Sequence, residues 1–334
     1  MTPQTANRIK QKPLLIGILL LLVILAGIFS WPTSTLPYHA GQFILVTSNE
    51  YNWPEDHIFA LLPDGSHFTR LARGTEPACS PDGRRIAFVG VDKPEEHFYA
   101  NPAYIYVMDS DGTNIKQLTS GETRGRSPEW SPDGEKIIFQ KVGPKGGIGI
   151  VDINTLALTE YHPPDVAGII FGFAWSPSGF EIIFVADTEI SDRGKDILYL
   201  VARGNEVHKI ADGEIKAPAW SPDGENIVFL YGDKRNTLRV IKPDGHVLSE
   251  IILPGGMYIW SSPKWSSDSQ YIIFSGSHLV GQATQDAVFI IDRDGSNLKT
   301  LVQAGWFTWG RDVGENFPLP RGIHYGEVDW CEVK

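Results

Sequence analysis

The sequence predicts an all-β protein, a six-bladed β-propeller of four-stranded antiparallel blades preceded by one N-terminal transmembrane helix. Three observations carry that expectation. The stretch "AWSPDGENIVF" at 219–229 recurs in close copies that begin at Ala78, Glu129, Ala174 and Lys264. Trp130, Trp175, Trp220 and Trp265 follow one another at intervals of 45 residues, and Cys79 holds the same place in the first copy. The chain is also rich in glycine (34) and proline (23) and shows no sustained helical period beyond its N-terminus, which favours short strands joined by turns.

The elements follow in chain order. Residues 1–12 read as a cytoplasmic tail, with Arg8, Lys10 and Lys12 in front of an uncharged run from Pro13 to Trp31. Nineteen residues at about 1.5 Å each reach about 28 Å, close to a bilayer's hydrocarbon thickness. The positive residues before the run place the tail inside and everything after Trp31 outside, so the chain is expected at the cell membrane as a single-pass protein with an extracytoplasmic propeller. A cleaved signal peptide is the competing reading. Residues 32–41 form a proline-interrupted linker.

Residues 42–310 are expected to form the propeller. In each copy a strand ends at Trp-Ser, Pro-Asp-Gly turns the chain, and an apolar strand such as "NIVF" follows; two further strands meet at turns such as "DSDG". Proline presets φ at the first corner, Asp bonds nearby backbone N–H groups, and Gly accepts positive φ. Pro81, Pro132, Pro177 and Pro222 take the proline role. A four-stranded sheet has two apolar faces, and blades packed around an axis cover each other. The recurring Trp130, Trp175, Trp220 and Trp265 then read as fillers between blades, with Trp309 as a fifth.

The five copies begin five blades. Gly41–Ser48, His57–Gly65 and His67–Arg73 supply three strands of another that lacks its first. Trp309 lies 44 residues after Trp265, so Phe307–Gly310 is expected to close the ring, with residues 311–334 as a tail packing on or closing the propeller. The alternative closing strand is "EVDWC" around Trp330, which makes 305–326 an inserted loop.

The run "WSPDG-x-x-I-x-F" followed by "IYVMDSDGTNIKQLT" resembles the WD40-like repeats of TolB-type propellers, found in exported bacterial envelope proteins. The resemblance covers roughly residues 41–310 and implies the fold. Its function is implied only broadly, since such blades also occur in periplasmic scaffolds, in propeller lyases and ahead of prolyl-oligopeptidase domains. The expected membrane span, in place of a separate N-terminal domain such as TolB has, is expected to set this chain apart.

Chemistry-bearing motifs are sparse. No G-x-S-x-G, H-E-x-x-H or complete P-loop occurs, so no catalytic residue, metal or cofactor is expected. "DSDGTN" at Asp109 and "DRDGSN" at Asp292 begin like calcium loops, but Ser120 and Gln303 stand where the twelfth-position acid belongs. Cys79 and Cys331 permit a disulfide stapling the C-terminal tail across the ring, or are a buried thiol and an unrelated tail cysteine. The net charge of −11 argues against nucleic acid as a partner.

Binding is expected on the face carrying the second turns and the blade crossings, whose loops differ in every blade. Those loops hold aromatics the repeat does not require: Trp53, Phe98, Tyr99, Tyr258, Trp260 and Trp306. The expectation is a membrane-anchored scaffold of the cell envelope that binds a protein or glycan partner there, without catalysis. The alternative is a lyase or hydrolase acting on an extracytoplasmic polysaccharide in the central channel, which calls for His, Asp or Glu side chains converging on the axis.

Overall fold

The computed structural model describes residues 41–49, 56–62, 67, 69–91, 103–143, 146–162, 169–187, 196–202, 206–280, 283–303 and 324–333. Together these form six antiparallel sheets, the blades of a six-bladed propeller. Pro13–Trp31 lies outside the described residues, as do Trp53, Phe98, Tyr99, Trp306 and Trp309.

Blade 2 runs through Thr75–Cys79, Arg85–Val91, Ala103–Asp109 and Lys116–Gln117. Blade 3 comprises Arg124–Trp130, Lys136–Val142, Ile148–Asp152 and Leu158–Tyr161. Blades 4 and 5 begin at Ile169–Trp175 and Ile215–Trp220 and follow the same order. In blade 6 the first strand is split into Tyr258–Ile259 and Lys264–Trp265, both paired with Tyr271–Val280.

Blade 1 is assembled from both ends of the chain. His324–Glu332 pairs with Gln42–Asn49, setting Ile44 opposite Trp330 and Phe43 opposite Cys331, and Asp56–Leu61 and Thr69–Arg73 complete the sheet. The closing strand is therefore the one around Trp330, and the expectation of Phe307–Gly310 is corrected. Spacing misled there, because the partner of Gln42–Asn49 is set by where the chain returns and not by its period; only Trp330 keeps the repeat's residue, and buried Val328 packs with Ile44 and Val46.

The repeated turn is held by its own side chains. The Ser131 hydroxyl donates to Asp133 at 2.5 Å and accepts from the Lys136 N–H at 2.9 Å, while the Glu135 N–H donates to the same carboxylate at 3.0 Å. The Ser131 hydroxyl and the Glu135 amide hold the Asp133 carboxyl below its usual range. Ser80/Asp82, Ser221/Asp223 and Ser266/Asp268 repeat the arrangement. On the following strand the last residue of "KIIF" and its copies, Phe139, Phe184, Phe229 and Phe274, is 0% exposed. Turn and core thus come from one eleven-residue phrase.

A candidate binding funnel on the propeller axis

The first strand of each blade lines the axis, and the repeat stacks its residues there in tiers. Immediately before the Trp position stand Asp329, Ala78, Glu129, Ala174, Ala219 and Lys264, from blades 1 to 6 in turn. The Trp position itself holds Trp330, Cys79, Trp130, Trp175, Trp220 and Trp265. Two places further on come Glu332, Pro81, Pro132, Pro177, Pro222 and Ser267.

Members of all three tiers line one cavity of about 400 Å³ that opens among the Pro-Asp-Gly turns. Deeper on the axis lies a void of about 50 Å³, lined by Glu76, Ser127, Gly172, Ala217 and Ser262 among others. Glu129 and Lys264 line both spaces and form an ion pair. Blades 3 and 6 are opposite in a ring of six, so this pair is a strut across the channel's diameter.

The deeper void owes its shape to bulges. Glu76, Ser127, Gly172 and Ala217 all have positive φ, between 51° and 66°, and the strand register shifts beside each. Such bulges re-aim side chains. Glu76 accepts the Ser127 N–H from the next blade and lies 3.4 Å from Arg126. Burial pushes its carboxyl above the usual range, against the Ser127 and Arg126 contacts that lower it.

Asp329 stands beside the strut in the funnel lining. Burial raises its carboxyl to about 6; Lys264 opposes the rise and Glu129 adds to it. One oxygen accepts the Cys79 N–H at 2.7 Å and the other the Trp330 N–H at 2.9 Å. Cys79 is in turn bonded to Cys331, with Cα atoms 5.5 Å apart, so of the two readings open for the cysteines the structure has the bond.

The wedge tryptophans differ in how their N–H is satisfied. Trp130 donates to the Ala78 carbonyl of the preceding blade at 2.9 Å, and Trp265 to that of Ala219 at 3.2 Å. Trp220 donates to Gly224 in its own turn at 3.1 Å. Trp175 and Trp330 keep a buried N–H with no acceptor. These two follow the blades that carry Glu129 and Lys264.

On the other face, Tyr258 and Trp260 meet with ring centroids 4.7 Å apart, and the Arg235 guanidinium sits 6.0 Å from the Tyr258 ring. Trp260 is 47% exposed. These are the described members of the six loop aromatics. The calcium-like turns bond to themselves: Asp111 accepts from Thr113, and Asn114 donates to Asp109. Among the described residues no group of three or more His, Cys, Asp or Glu is placed to hold a metal. Sequence reasoning missed the funnel floor, although stacking the copies in register exposes it as charges in a column otherwise filled by alanine.

Comparison with known proteins agrees with this architecture. A family profile described as "TolB beta propeller domain" matches residues 83–304. The crystal structure of TolB from Acinetobacter baumannii superposes with a TM-score of 0.65 at 18% identity, covering 87% of this chain and 67% of that one. Among curated relatives, an uncharacterized peptidase, YuxL, of Bacillus subtilis is 29% identical over 47% of this chain and 22% of its own length. Dipeptidyl-peptidase 5 of Porphyromonas gingivalis is 28% identical over 39% of this chain and 19% of its own. The chain thus spans about a fifth of either peptidase.

Proposed function

The chain belongs to the TolB beta propeller family, and from that premise we propose that it is a protein-binding module of the cell envelope. In this reading Pro13–Trp31 holds it to the membrane, the propeller stands on the outer side, and a segment of the partner enters the axial funnel. No bond is made or broken. The observation that carries the reading is the funnel of about 400 Å³, walled by five indoles and four proline rings over a small polar floor. Binding sites are usually concave, and aromatic anchors dominate the energetics of interfaces. The principal contact then lies on the tight-turn face and not on the loop-rich face.

Photocrosslinking of the full chain in its native membranes tests this. A photoreactive residue at Ser267, on the funnel rim, is expected to capture the partner more efficiently than one at Trp260. Capture at Trp260 alone would sink the funnel reading and restore the loop-rich face, where exposed Trp260 meets half-buried Tyr258. The catalytic alternative has one observation in its favour, a carboxyl with a near-neutral pKa beside Lys264. It requires turnover of a polysaccharide that is abolished by Asp329→Asn.

A further inference from the structure

We propose that the funnel recognises a cationic side chain, lysine or arginine, carried on an extended peptide segment; the inference rests on the funnel being the binding site. Four ionisable side chains line the space: Glu129, Asp329 and Glu332 against Lys264. Lys264 is already engaged by Glu129, so an anionic ligand would meet two further carboxylates and no unengaged ammonium. A neutral ligand would cover those carboxylates without replacing the water it displaces, which is costly for buried charge. A cation compensates them, and the attraction is stronger in a low-dielectric cavity than in water.

The walls favour the same choice. Indole faces attract cations. One wedge tryptophan already does so here, with the Arg85 guanidinium carbon 4.9 Å from the Trp130 ring centroid. Space for the incoming group lies over blades 4 and 5, where the floor carries only the methyl groups of Ala174 and Ala219. The peptide character rests on the proposed function, in which a segment of a protein partner enters the funnel; the five indoles and four proline rings that wall it offer apolar contact to the residues flanking the cation.

The test is calorimetric titration of the detergent-solubilised full chain with four probes. They are the blocked peptide acetyl-Gly-Ala-Lys-Ala-Gly-amide, its norleucine and glutamate counterparts, and tetramethylammonium. The lysine peptide should bind about tenfold more tightly than the norleucine peptide, equivalent to about 1.4 kcal/mol, with the glutamate peptide weakest. Asp329→Asn combined with Glu332→Gln should erase the lysine preference; the amide oxygen can still accept the Cys79 N–H but the Trp330 N–H loses its acceptor, so a thermal unfolding curve of the variant accompanies the titration. Glu332→Gln alone, at the rim, should lower it by a smaller factor. Ser267→Trp should block all peptides.

Equal binding of lysine and norleucine peptides would overturn the cation inference and leave the funnel reading standing. Tetramethylammonium binding as tightly as the lysine peptide would overturn the peptide part. Peptides that bind the Ser267→Trp variant as well as the parent would overturn the funnel itself.

Discussion

Between blades 2 and 3 the gap is filled by Trp130, 6% exposed and hydrogen-bonded to Ala78, whereas between blades 1 and 2 the same repeat position holds Cys79, bonded to Cys331. The two junctions face the same packing demand under different chain connectivity. Blade 3 lies wholly within one continuous stretch, so packing and one hydrogen bond suffice to seat it. The closing strand of blade 1 arrives 252 residues after Cys79, and holding it in place closes a very long loop. Closing such a loop costs entropy that a covalent bond removes from the unfolded state instead. An indole would also occupy the place where the two sulfurs meet.

Breaking each junction in turn measures that difference. Trp130→Ala should have the largest effect, about 3–5 kcal/mol in denaturant unfolding, because it empties an interblade core position and removes the indole's hydrogen bond to the preceding blade. Replacing both cysteines by serine should cost less, about 2–4 kcal/mol. The two variants should also differ in where they loosen. Hydrogen exchange in the cysteine variant should accelerate first in His324–Glu332 and Gln42–Asn49, while Trp130→Ala should loosen blades 2 and 3. Equal acceleration around the whole ring in the cysteine variant would mean that the bond is not a local staple.

The two junctions were unequally legible in the sequence. The wedge was readable because Trp-Ser-Pro-Asp-Gly recurs in register, and the turn bonds of Ser131 and Asp133 are local interactions. The seam was not, because strand pairing between Gln42–Asn49 and His324–Glu332 depends on a return of the chain that no local period encodes. Trp309 fell closer to period than Trp330, and the stretch around Asp329 has Val328 in place of the repeat's proline. The strut escaped for a related reason. Glu129 and Lys264 each look like ordinary polar residues before a Trp, and only ring closure sets them opposite one another. Likewise the left-handed residues Glu76, Ser127 and Ala217 announce themselves only by the bulges they cause. The loop aromatics drew attention because they break the repeat, yet the funnel is built from residues that obey it.

Asp329 belongs to the seam as well, since its carboxylate accepts the Cys79 N–H. Its folded pKa of about 6 exceeds the value of about 3.9 expected when unfolded. The folded state therefore holds this proton more tightly, and its stabilising effect is present below pH 4 and lost as pH rises through 6. The loss amounts to about 2–3 kcal/mol by linkage. Asp329→Asn cannot release the proton, so relative to the parent it should gain that amount between pH 4 and pH 7.5 in matched unfolding curves. A difference that does not change with pH would show that Asp329 is not buried as described.

The smallest effect separates two glycines at one turn position. Gly83 and Gly179 have φ of 70° and 74°, so an alanine at either carries the same left-handed strain, about 1 kcal/mol. Their surroundings differ. A Cβ on Gly179 would meet only the Pro132 ring, at 3.7 Å, whereas one on Gly83 would lie 2.2 Å from the Glu332 carbonyl oxygen of the closing strand. Backbone cannot swing aside as a side chain does. Gly83→Ala should therefore cost about 2–3 kcal/mol against about 1 kcal/mol for Gly179→Ala. In the cysteine-free background the gap should shrink, because a closing strand released from Cys79 can retreat from the new methyl group. That double-variant comparison, read from unfolding midpoints, shows whether the disulfide holds the seam at the distance its turn glycine requires. An unchanged gap would mean that strand pairing alone sets that distance.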